Sequence, residues 1–393
     1  MEYLNCSIDY LNSKGGLATA KEICNQPRLW EQTYLMLNER SNEISEFLKQ
    51  VTEKDHPIVI LTGAGTSAFI GETLKGIFQK KWKVPCLAIS TTDIVTHPEN
   101  YFIRSSPTLL ISFGRSGNSP ESIAAIEEGR KRCDMFYELN ITCNAVGRLA
   151  EKNEGENSYV ILLPEETNDN SLAMTSSYSS MLLTGLLLTD LKNSQNISPL
   201  MKRIRLYGEY ILNNCLSDLK TIAELDFERM VFLGSGPLLG VAQESQLKVQ
   251  ELSDGNIICK HDSFLGFRHG PRAVVNDDTF IVYLLSNNPF VKSYEFDLIQ
   301  SIKAKSGMEK TLVIGQDERI EDTGFDFTIQ FPMGMEDIPE DFLSIFYILP
   351  AQIIGFYKSL RLGLSPDSPS RNGSISRVVE GVKIYDSKPL DNW

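Results

Sequence analysis

Basic residues and histidines are scarce in this sequence. Its 393 residues include 38 Lys and Arg against 51 Asp and Glu, so the formal net charge is −13. Proteins bind nucleic acids through a basic patch that contacts the phosphates, and this charge balance argues against such a partner. Only 4 histidines are present, and the neighbours His261 and Asp262 supply at best half of a metal site. We therefore expect neither a nucleic-acid partner nor a metal ion.

Cysteine pairs and long apolar runs are missing as well. The 7 cysteines form no C-x-x-C pair and are odd in number, which favours reduced thiols in a cytosol over a disulfide framework or a zinc site. The longest apolar stretch, around residues 181–188, is too short to span a bilayer. Residues 1–6 lack the basic start and apolar run of a signal peptide. These absences predict a cytoplasmic protein without a membrane partner.

What is present is an ordinary globular composition and the pattern of an α/β protein. The chain is 42% hydrophobic and 23% charged, and its length predicts two domains. The apolar run of residues 57–62 predicts a strand buried on both faces. Before it, residues 19–22 form a capping-box pattern that predicts a helix start, and Pro27 is expected to interrupt that helix.

A glycine-rich loop follows this first strand. Its residues, Gly63-Ala64-Gly65-Thr66-Ser67-Ala68, fit the dinucleotide-binding fingerprint as well as a phosphate loop. A dinucleotide site also needs an acidic residue about 20 positions further along the chain. The nearest candidate, Asp93, lies 28 residues after Gly65 (93 minus 65). NAD binding is therefore the less favoured alternative, and we expect no cofactor.

The loop after the next strand is more informative. The strand of residues 108–112 runs into Phe-Gly-Arg-Ser-Gly-Asn-Ser-Pro-Glu at 113–121. Such residues permit a tight turn whose N–H groups and hydroxyls converge on an anion, and a helix N-terminus follows. Arg115 can add a charge-assisted contact of about 1.5–3 kcal/mol. The alternative is an ordinary turn in which Ser119 caps the next helix, but two hydroxyl-rich loops at successive strand ends favour a phosphate site.

The second half of the chain repeats the first at an offset of 171 residues. The Gly-x-Gly turn at 63–65 corresponds to 234–236, and the strand that begins at Thr108 corresponds to one that begins at Thr279. A period this long indicates a duplicated domain. The copies differ at the second loop, where residues 286–289, Ser-Asn-Asn-Pro, replace the hydroxyl-rich sequence. We therefore expect an anion site in the first copy alone.

An ionic helix and a histidine loop distinguish the second copy. Glu244, Lys248 and Glu251 are spaced so that all three lie on one face of a helix that follows a strand. A polar loop is expected next, ending at Arg268-His269-Gly270-Pro271. The plain interpretation is a solvated, salt-bridged helix and a loop histidine. The alternative is a functional helix, because open α/β sheets bind ligands beyond the carboxyl ends of their strands.

These motifs resemble the sugar isomerase (SIS) domain family in its two-domain form. The resemblance covers nearly the whole chain. It extends to the isomerase half of glucosamine-6-phosphate synthase. It is most specific to the tagatose-6-phosphate ketose/aldose isomerase group, which includes galactosamine-6-phosphate deaminases. The resemblance implies two tandem SIS domains, each a mainly parallel sheet flanked by helices in a flavodoxin-like three-layer α/β/α fold. Its motifs are Glu22-Ile23-Cys24-Asn25-Gln26-Pro27, Gly65-Thr66-Ser67, Ser116-Gly117-Asn118-Ser119, Leu247-Lys248-Val249-Gln250-Glu251 and His269-Gly270-Pro271.

The resemblance also implies an organisation for the chain. We expect an N-terminal helical segment at 1–44, a first SIS domain at 45–200, a second at 201–365, and a tail over the active site at 366–393. The implied assembly is a homodimer whose subunits share an active site, and the implied partner is a sugar phosphate.

Roles for individual residues follow from the same likeness. Glu251 is similar to the family's base for proton transfer between C1 and C2, and Lys248 matches a lysine beside it. His269 is similar to the histidine that opens the sugar ring. In the family this histidine can come from the partner subunit. Arg377 stands where the synthase has an active-site lysine. The implied substrate-binding residues are Gly65, Thr66, Ser67, Gly114, Arg115, Ser116, Gly117, Ser119, Ala173 and Thr175.

Two departures from the synthase bear on the reaction. Gly114-Arg115-Ser116 replaces its Ser-Gln-Ser, so one hydroxyl is lost and a charge is gained. The glutaminase half is absent, which favours release of ammonia over its capture. We therefore expect galactosamine 6-phosphate to be converted to tagatose 6-phosphate and ammonia. A plain ketose/aldose isomerase of an unaminated hexose 6-phosphate and a non-catalytic sugar-phosphate-binding regulator remain as alternatives.

Overall fold

The computed structural model describes residues 2–151, 157–191, 193, 197–304, 310–316, 320, 324–332, 338–379 and 381–386. Within these residues the chain forms two five-stranded sheets and a small N-terminal hairpin. All 7 cysteines are free. The N-terminal segment contains β1 (Glu2–Tyr3), β2 (Cys6–Ser7), α1 (Ile8–Lys14), α2 (Leu17–Glu39) and α3 (Ser41–Thr52).

The first sheet comes from the first half of the chain. Its elements are β3 (Ile58–Thr62), α4 (Thr66–Trp82), β4 (Cys86–Ala88), α5 (Thr91–Thr96), β5 (Thr108–Gly114), α6 (Pro120–Arg132), β6 (Phe136–Thr142), β7 (Ser158–Leu162) and α7 (Ser176–Leu188). The strands lie in the order β4-β3-β5-β6-β7, and every pair is parallel. β5 and β6 are buried along almost their whole length, as expected of strands covered on both faces.

The second sheet comes from the second half. Its elements are α8 (Ser198–Asn214), α9 (Leu216–Glu224), β8 (Arg229–Gly234), α10 (Pro237–Leu252), β9 (Ile258–Asp262), α11 (Phe264–Phe267), β10 (Thr279–Leu284), α12 (Pro289–Lys303), β11 (Lys310–Gly315), β12 (Phe327–Gln330), α13 (Glu340–Phe346) and α14 (Leu349–Arg361). Its strands lie in the order β9-β8-β10-β11-β12, again all parallel. Both sheets thus have the order 2-1-3-4-5 of flavodoxin-like folds, and the predicted fold class is confirmed.

The turn after the first central strand has the same backbone in both halves. Gly65 has φ 55° and ψ −128°, and Gly236 has φ 55° and ψ −124°. An L-residue rarely adopts such a positive φ, so both turns require glycine. Each turn leads directly into a helix, α4 or α10. The duplicated turn fits the repeat that the sequence predicts.

The helices that follow these turns pack directly against each other. A Cβ atom at Gly240 of α10 would lie 2.2 Å from Thr73 Oγ1 and 2.5 Å from Thr73 N of α4. Glycine therefore permits a very close approach of the two helices. One apolar core includes side chains of both sheets, among them Leu61 of β3 and Phe232 of β8. This packing places the first turn of α10 against the middle of α4.

A long apolar helical stretch lies inside the fold. Among the residues described, one stretch, Glu340–Arg361, is long and apolar enough to cross a membrane, and 94% of its most apolar window is buried within the protein. The core helices of globular proteins share this property.

The start of α2 differs from its prediction. The helix begins at Leu17, so the predicted capping box at 19–22 is wrong. Its first N–H groups are capped from the far end of the chain, because Asp367 accepts hydrogen bonds from Ala18 N (3.2 Å) and Thr19 N (2.8 Å). The long-range partner satisfies donors that a local cap would otherwise serve.

Pro27 does not interrupt α2, in contrast to the prediction. A proline inside a helix leaves the carbonyl four residues before it without its usual donor. Here that carbonyl, Ile23 O, accepts a hydrogen bond from Gln26 Nε2 at 3.2 Å. A neighbouring side chain thus replaces the missing backbone bond, and the helix continues to Glu39.

The prediction of a polar loop before Arg268 is also wrong. That segment contains the edge strand β9 and the short helix α11. β9 carries Lys260, His261 and Asp262, so it shows no apolar run and its polar composition conceals a strand. The equivalent edge strand of the first sheet, β4, spans three residues and gives little signal for the same reason.

Candidate active site

The two hydroxyl-rich loops of the first half line one cavity of about 130 Å³. One loop follows β3 and the other follows β5, and these strands are neighbours in the sheet. Met174 and the tail residues Arg377, Val378 and Val379 complete the wall. The predicted binding residues that the structure brings together here are Ser67, Gly114, Arg115, Ser116, Gly117 and Ser119.

Two helix N-termini open onto this cavity. Ser67 lies in the first turn of α4 and Ser119 directly precedes α6, so the positive ends of both helix dipoles face an anion placed there. Gly117 has φ 65°, and a Cβ at this position would lie 3.0 Å from Thr142 Oγ1. The loop is therefore tight enough to direct its donors inward. This geometry suits a phosphate group. We call the two hydroxyl-rich loops with these helix N-termini the phosphate cradle.

The guanidinium of Arg115 is held by backbone carbonyls. Its Nη1 donates to Ser171 O (3.0 Å) and Leu172 O (3.1 Å), and its Nη2 donates to Arg377 O (2.7 Å). The residue is 6% exposed, and burial, supported by the charge of Arg377 and opposed by Asp169, lowers its pKa. The sequence predicts a phosphate contact, whereas the structure shows contacts with three backbone carbonyls.

The ionic face of α10 is buried rather than solvated. Lys248 Nζ lies 2.7 Å from Glu251 Oε2 and 3.3 Å from Glu244 Oε1, and the side chains of Lys248 and Glu244 are 1% and 0% exposed. Glu251 is the most accessible of the three, with 22% of its side chain exposed. The plain interpretation of a solvated, salt-bridged helix is therefore wrong. A buried ion cluster with one accessible carboxylate is the arrangement expected of a site.

Burial controls the protonation of this cluster. Removal from water is the largest effect on Glu244 and raises its pKa to about 8, although the charge of Lys248 opposes the shift. For Lys248, burial would lower the pKa, but the two carboxylates outweigh it and raise the pKa instead. At neutral pH Glu244 therefore retains a proton.

Thr66 joins the first half of the chain to this cluster. Its hydroxyl accepts a hydrogen bond from Lys248 Nζ (3.1 Å) and donates one to Glu244 Oε1 (3.2 Å). It is therefore turned toward α10, although the sequence predicts a substrate contact. The residue is next to Ser67, which lines the cavity. The turn after β3 and the ionic face of α10 are thus in direct contact.

Comparison with known proteins agrees with this geometry. The SIS domain family matches residues 44–190. D-galactosamine-6-phosphate deaminase AgaS of Shewanella sp. (strain ANA-3) is 39% identical to the chain over 96% of this chain and 94% of its own length. The chain belongs to the AgaS family of SIS-domain proteins.

Solved structures support this membership. A Clostridium novyi protein provisionally named tagatose-6-phosphate ketose/aldose isomerase is 42% identical, with a TM-score of 0.95, and the match covers 98% of this chain and 100% of that one. Tagatose-6-phosphate ketose/aldose isomerase of Escherichia coli is 33% identical, with a TM-score of 0.85, over 94% of this chain and 97% of its own.

In this AgaS-family chain the loop before α7 is held by two carboxylates that the sequence did not reveal. Asp169 accepts hydrogen bonds from the N–H groups of Thr175 (2.9 Å), Ser176 (3.0 Å) and Ser177 (2.9 Å). Glu22 of α2 accepts them from Asn170 N (2.6 Å) and Ser171 Oγ (2.5 Å). Burial, followed by the charge of Asp169, raises the pKa of Glu22 to about 7. An aspartate six residues before a Thr-Ser-Ser helix start was the available signal.

Two predicted binding residues lie in this loop. Thr175 Oγ1 donates to Asp169 Oδ1 at 3.1 Å, so its hydroxyl is used within the loop. Ala173 is buried, and its carbonyl accepts a hydrogen bond from Ser171 Oγ. Met174, between them, is the residue that lines the cavity.

The remaining predicted residues lie apart from α10. His269 is exposed in the turn after α11, where its N–H donates to Gly266 O. The guanidinium of Arg377 donates to Asp169 O through Nε (2.8 Å) and Nη2 (2.6 Å), and to Asn168 Oδ1 (3.0 Å). Among the described residues, neither side chain forms a hydrogen bond or an ion pair with Glu251, which instead contacts Lys248.

In the second half of the chain, the loop at 286–289 corresponds to the hydroxyl-rich loop after β5. There it binds the protein's own carboxylates. Ser286, at the end of β10, donates its N–H to Glu295 Oε2 at 3.0 Å and its hydroxyl to Glu340. Glu295 is fully buried. The N–H and the hydroxyl of Ser286 are thus already used. In the part of the chain that the structure describes, no three His, Cys, Asp or Glu residues form a metal-binding group.

The raised pKa of Glu244 predicts a pH-dependent stability. Its folded pKa of about 8 exceeds the ordinary value of 4.5, so between these values the folded chain holds a proton that the unfolded chain has released. The free energy of unfolding therefore falls as pH rises through this window. The glutamine side chain of Glu244→Gln carries no charge at any pH. The variant should therefore keep about 1–3 kcal/mol of unfolding free energy that the parent loses between pH 6 and pH 9.

Thermal unfolding at several pH values checks this prediction. The melting temperature of Glu244→Gln, relative to the parent, should rise from pH 6 to about pH 8 and then level off. Glu224→Gln, which removes an exposed carboxylate from α9, should run parallel to the parent. Parallel curves for Glu244→Gln would contradict the raised pKa.

Proposed function

We propose that this chain converts galactosamine 6-phosphate to tagatose 6-phosphate and ammonia, without a metal ion or organic cofactor. The observation that carries the proposal is the accessible carboxylate of Glu251, salt-bridged to a buried lysine that contacts the phosphate loop through Thr66. The activity named for the Shewanella relative, at 39% identity, supports the choice of substrate. The cytoplasm is the proposed location.

The substrate phosphate binds in the cavity of the first domain. Ser67, Ser116 and Ser119 supply hydroxyls, and the loop N–H groups and two helix N-termini supply further donors. In the free chain Ser119 Oγ donates to Glu121 Oε2 at 2.6 Å, a bond that the phosphate replaces. The occupied cradle of the second copy supports one phosphate for each chain.

Glu251 moves the proton between C1 and C2. Its Oε2 is held by Lys248, so we assign Oε1 to the substrate. A carboxylate can take a proton from one carbon and return it to the next without a large movement of the side chain. The 2-amino aldose becomes a ketose imine in this step, and addition of water to the imine carbon then releases ammonia.

Ring opening is assigned to His269, supplied by the partner subunit of a homodimer. An imidazole both donates and accepts protons near neutral pH. The exposed position of His269 on the described chain is consistent with a role across a subunit interface. Residues 1–44, 45–200, 201–365 and 366–393 remain the proposed units, with the last forming a cover that carries Arg377.

A substrate panel tests the activity. Galactosamine 6-phosphate, glucosamine 6-phosphate and galactose 6-phosphate are each incubated with the protein, and both ammonia and ketose are measured. We expect ammonia and ketose in equal amounts from galactosamine 6-phosphate, unchanged by a chelator.

Each other outcome has a defined meaning. Ketose from galactose 6-phosphate alone would show the plain isomerase instead, and equal turnover of glucosamine 6-phosphate would remove the C4 preference. Binding of all three sugars without turnover would indicate a regulator. Loss of activity with a chelator that a divalent ion restores would contradict the metal-free reaction.

A further inference from the structure

The tail crosses the phosphate cavity and is tied down by Arg115. Val378 and Val379 form part of the cavity wall, and the carbonyl of the preceding residue, Arg377, accepts a hydrogen bond of 2.7 Å from Arg115 Nη2. The same guanidinium contacts Ser171 O and Leu172 O through Nη1. Three of its five N–H donors are therefore used on backbone carbonyls of the loop and the tail.

A second tie runs in the opposite direction. The side chain of Arg377 reaches back from the tail to Asp169 O and Asn168 Oδ1. Arg115 thus extends from the cradle to both loop and tail, while Arg377 extends from the tail to the loop. Two planar guanidinium groups, each with several donors in a fixed geometry, link the same pair of segments.

The loop that receives both ties is itself firmly anchored. Asp169 caps the start of α7 through several hydrogen bonds, and Glu22 holds Asn170 and Ser171 from α2. The carbonyls offered to the two arginines are therefore fixed by their neighbours. A fixed acceptor set reduces the entropy lost when the tail is held against it.

We propose that Arg115 is a positioning residue that holds the tail over the phosphate cavity, and that it does not bind the phosphate itself. Arg115 and Arg377 act together as a cross-tie between residues 168–172 and residues 377–379. The held tail shields the phosphate contacts from bulk water, and such contacts are stronger where water is excluded. This inference rests on the proposed phosphate site and deepens it.

Hydrogen exchange of the full-length chain tests the cross-tie. Amide exchange of residues 371–379 is followed in the parent, Arg115→Gln, Arg377→Gln and the double variant, with and without inorganic phosphate. Loss of a charged hydrogen bond of about 1.5–3 kcal/mol predicts exchange at least tenfold faster in either single variant. The double variant should be no faster than the singles, because either change opens the same tie.

Kinetics supply a second readout. KM for galactosamine 6-phosphate should rise about tenfold or more in both single variants, with kcat within about threefold of the parent. Arg371→Gln is the matched control: it removes the same charge from the same tail, where Arg371 Nη2 contacts Leu362 O instead. The control should match the parent in exchange and in KM.

Arg115→Lys separates charge from geometry. Lysine keeps a positive charge near the cavity but lacks the planar fork that joins loop and tail. We expect it to remain defective in tail protection and in KM. Full recovery of KM in Arg115→Lys would show that charge on the phosphate matters, and would overturn the proposal.

Two further results would also overturn it. One is parental tail protection in Arg115→Gln together with weaker binding of inorganic phosphate. The other is an Arg377→Gln variant that matches Arg371→Gln in both readouts. If the protein released no ammonia from galactosamine 6-phosphate, the proposed function would fail, but the exchange data with inorganic phosphate would still decide the cross-tie.

Discussion

Replacement of Glu251 by glutamine should lower kcat by about 10²–10⁴-fold with little change in KM. Glutamine keeps the shape of the side chain and one oxygen for the 2.7 Å contact with Lys248, but it cannot accept the proton from carbon. The proposed phosphate cradle is formed by other residues, so substrate binding should be largely unaffected. The expected defect is therefore in the chemical step.

Steady-state kinetics with galactosamine 6-phosphate measure this effect. Glu127→Gln serves as a control. Glu127 is an exposed carboxylate of α6, and this change removes one negative charge, as Glu251→Gln does. A fall in kcat/KM caused mainly by a higher KM would show that Glu251 binds the substrate and does not act as the base.

Removal of two cradle hydroxyls should raise KM strongly. Ser116→Ala combined with Ser119→Ala deletes two hydrogen bonds to a charged phosphate, each worth about 1.5–3 kcal/mol. Together they correspond to an increase in KM of about 10²–10⁴-fold. The variant should fold, since Ser116 Oγ and Ser119 Oγ bond only weakly or locally, to Asn118 N (3.3 Å) and to Glu121 (2.6 Å).

Binding of inorganic phosphate gives an independent measure of this loss. The double variant should bind phosphate correspondingly more weakly, while Ser217→Ala, at an exposed position of α9, should match the parent. Unchanged phosphate affinity in the double variant would place the phosphate outside the cavity between β3 and β5.

Local signals in the sequence predict much of this architecture. Buried parallel strands are continuous apolar runs, so β3 and β5 were evident. The glycine turns at Gly65 and Gly236 have a backbone that other residues rarely adopt, which made the duplication visible. The spacing of Glu244, Lys248 and Glu251 predicts one helical face, and the structure shows them in one cluster.

Contacts between distant parts of the chain could not be predicted in this way. Asp367 caps the start of α2, although it lies 349 residues after Ala18 in the sequence. No local sequence pattern predicts such a distant partner. Arg115 was expected to bind phosphate because a cation in an anion loop usually does, but buried carbonyls of another loop attract its guanidinium. The role of a long side chain depends on which acceptors the fold brings to it.

Exchange of the C2 proton with solvent tests the central claim most directly, since it reports proton abstraction without the later release of ammonia. Galactosamine 6-phosphate is incubated in D₂O with the parent or with Glu251→Gln, and loss of the C2 proton signal is followed by NMR. The account predicts exchange in the parent and exchange at least 100-fold slower in the variant. Exchange at the parental rate in Glu251→Gln would contradict the assignment of Glu251 as the base.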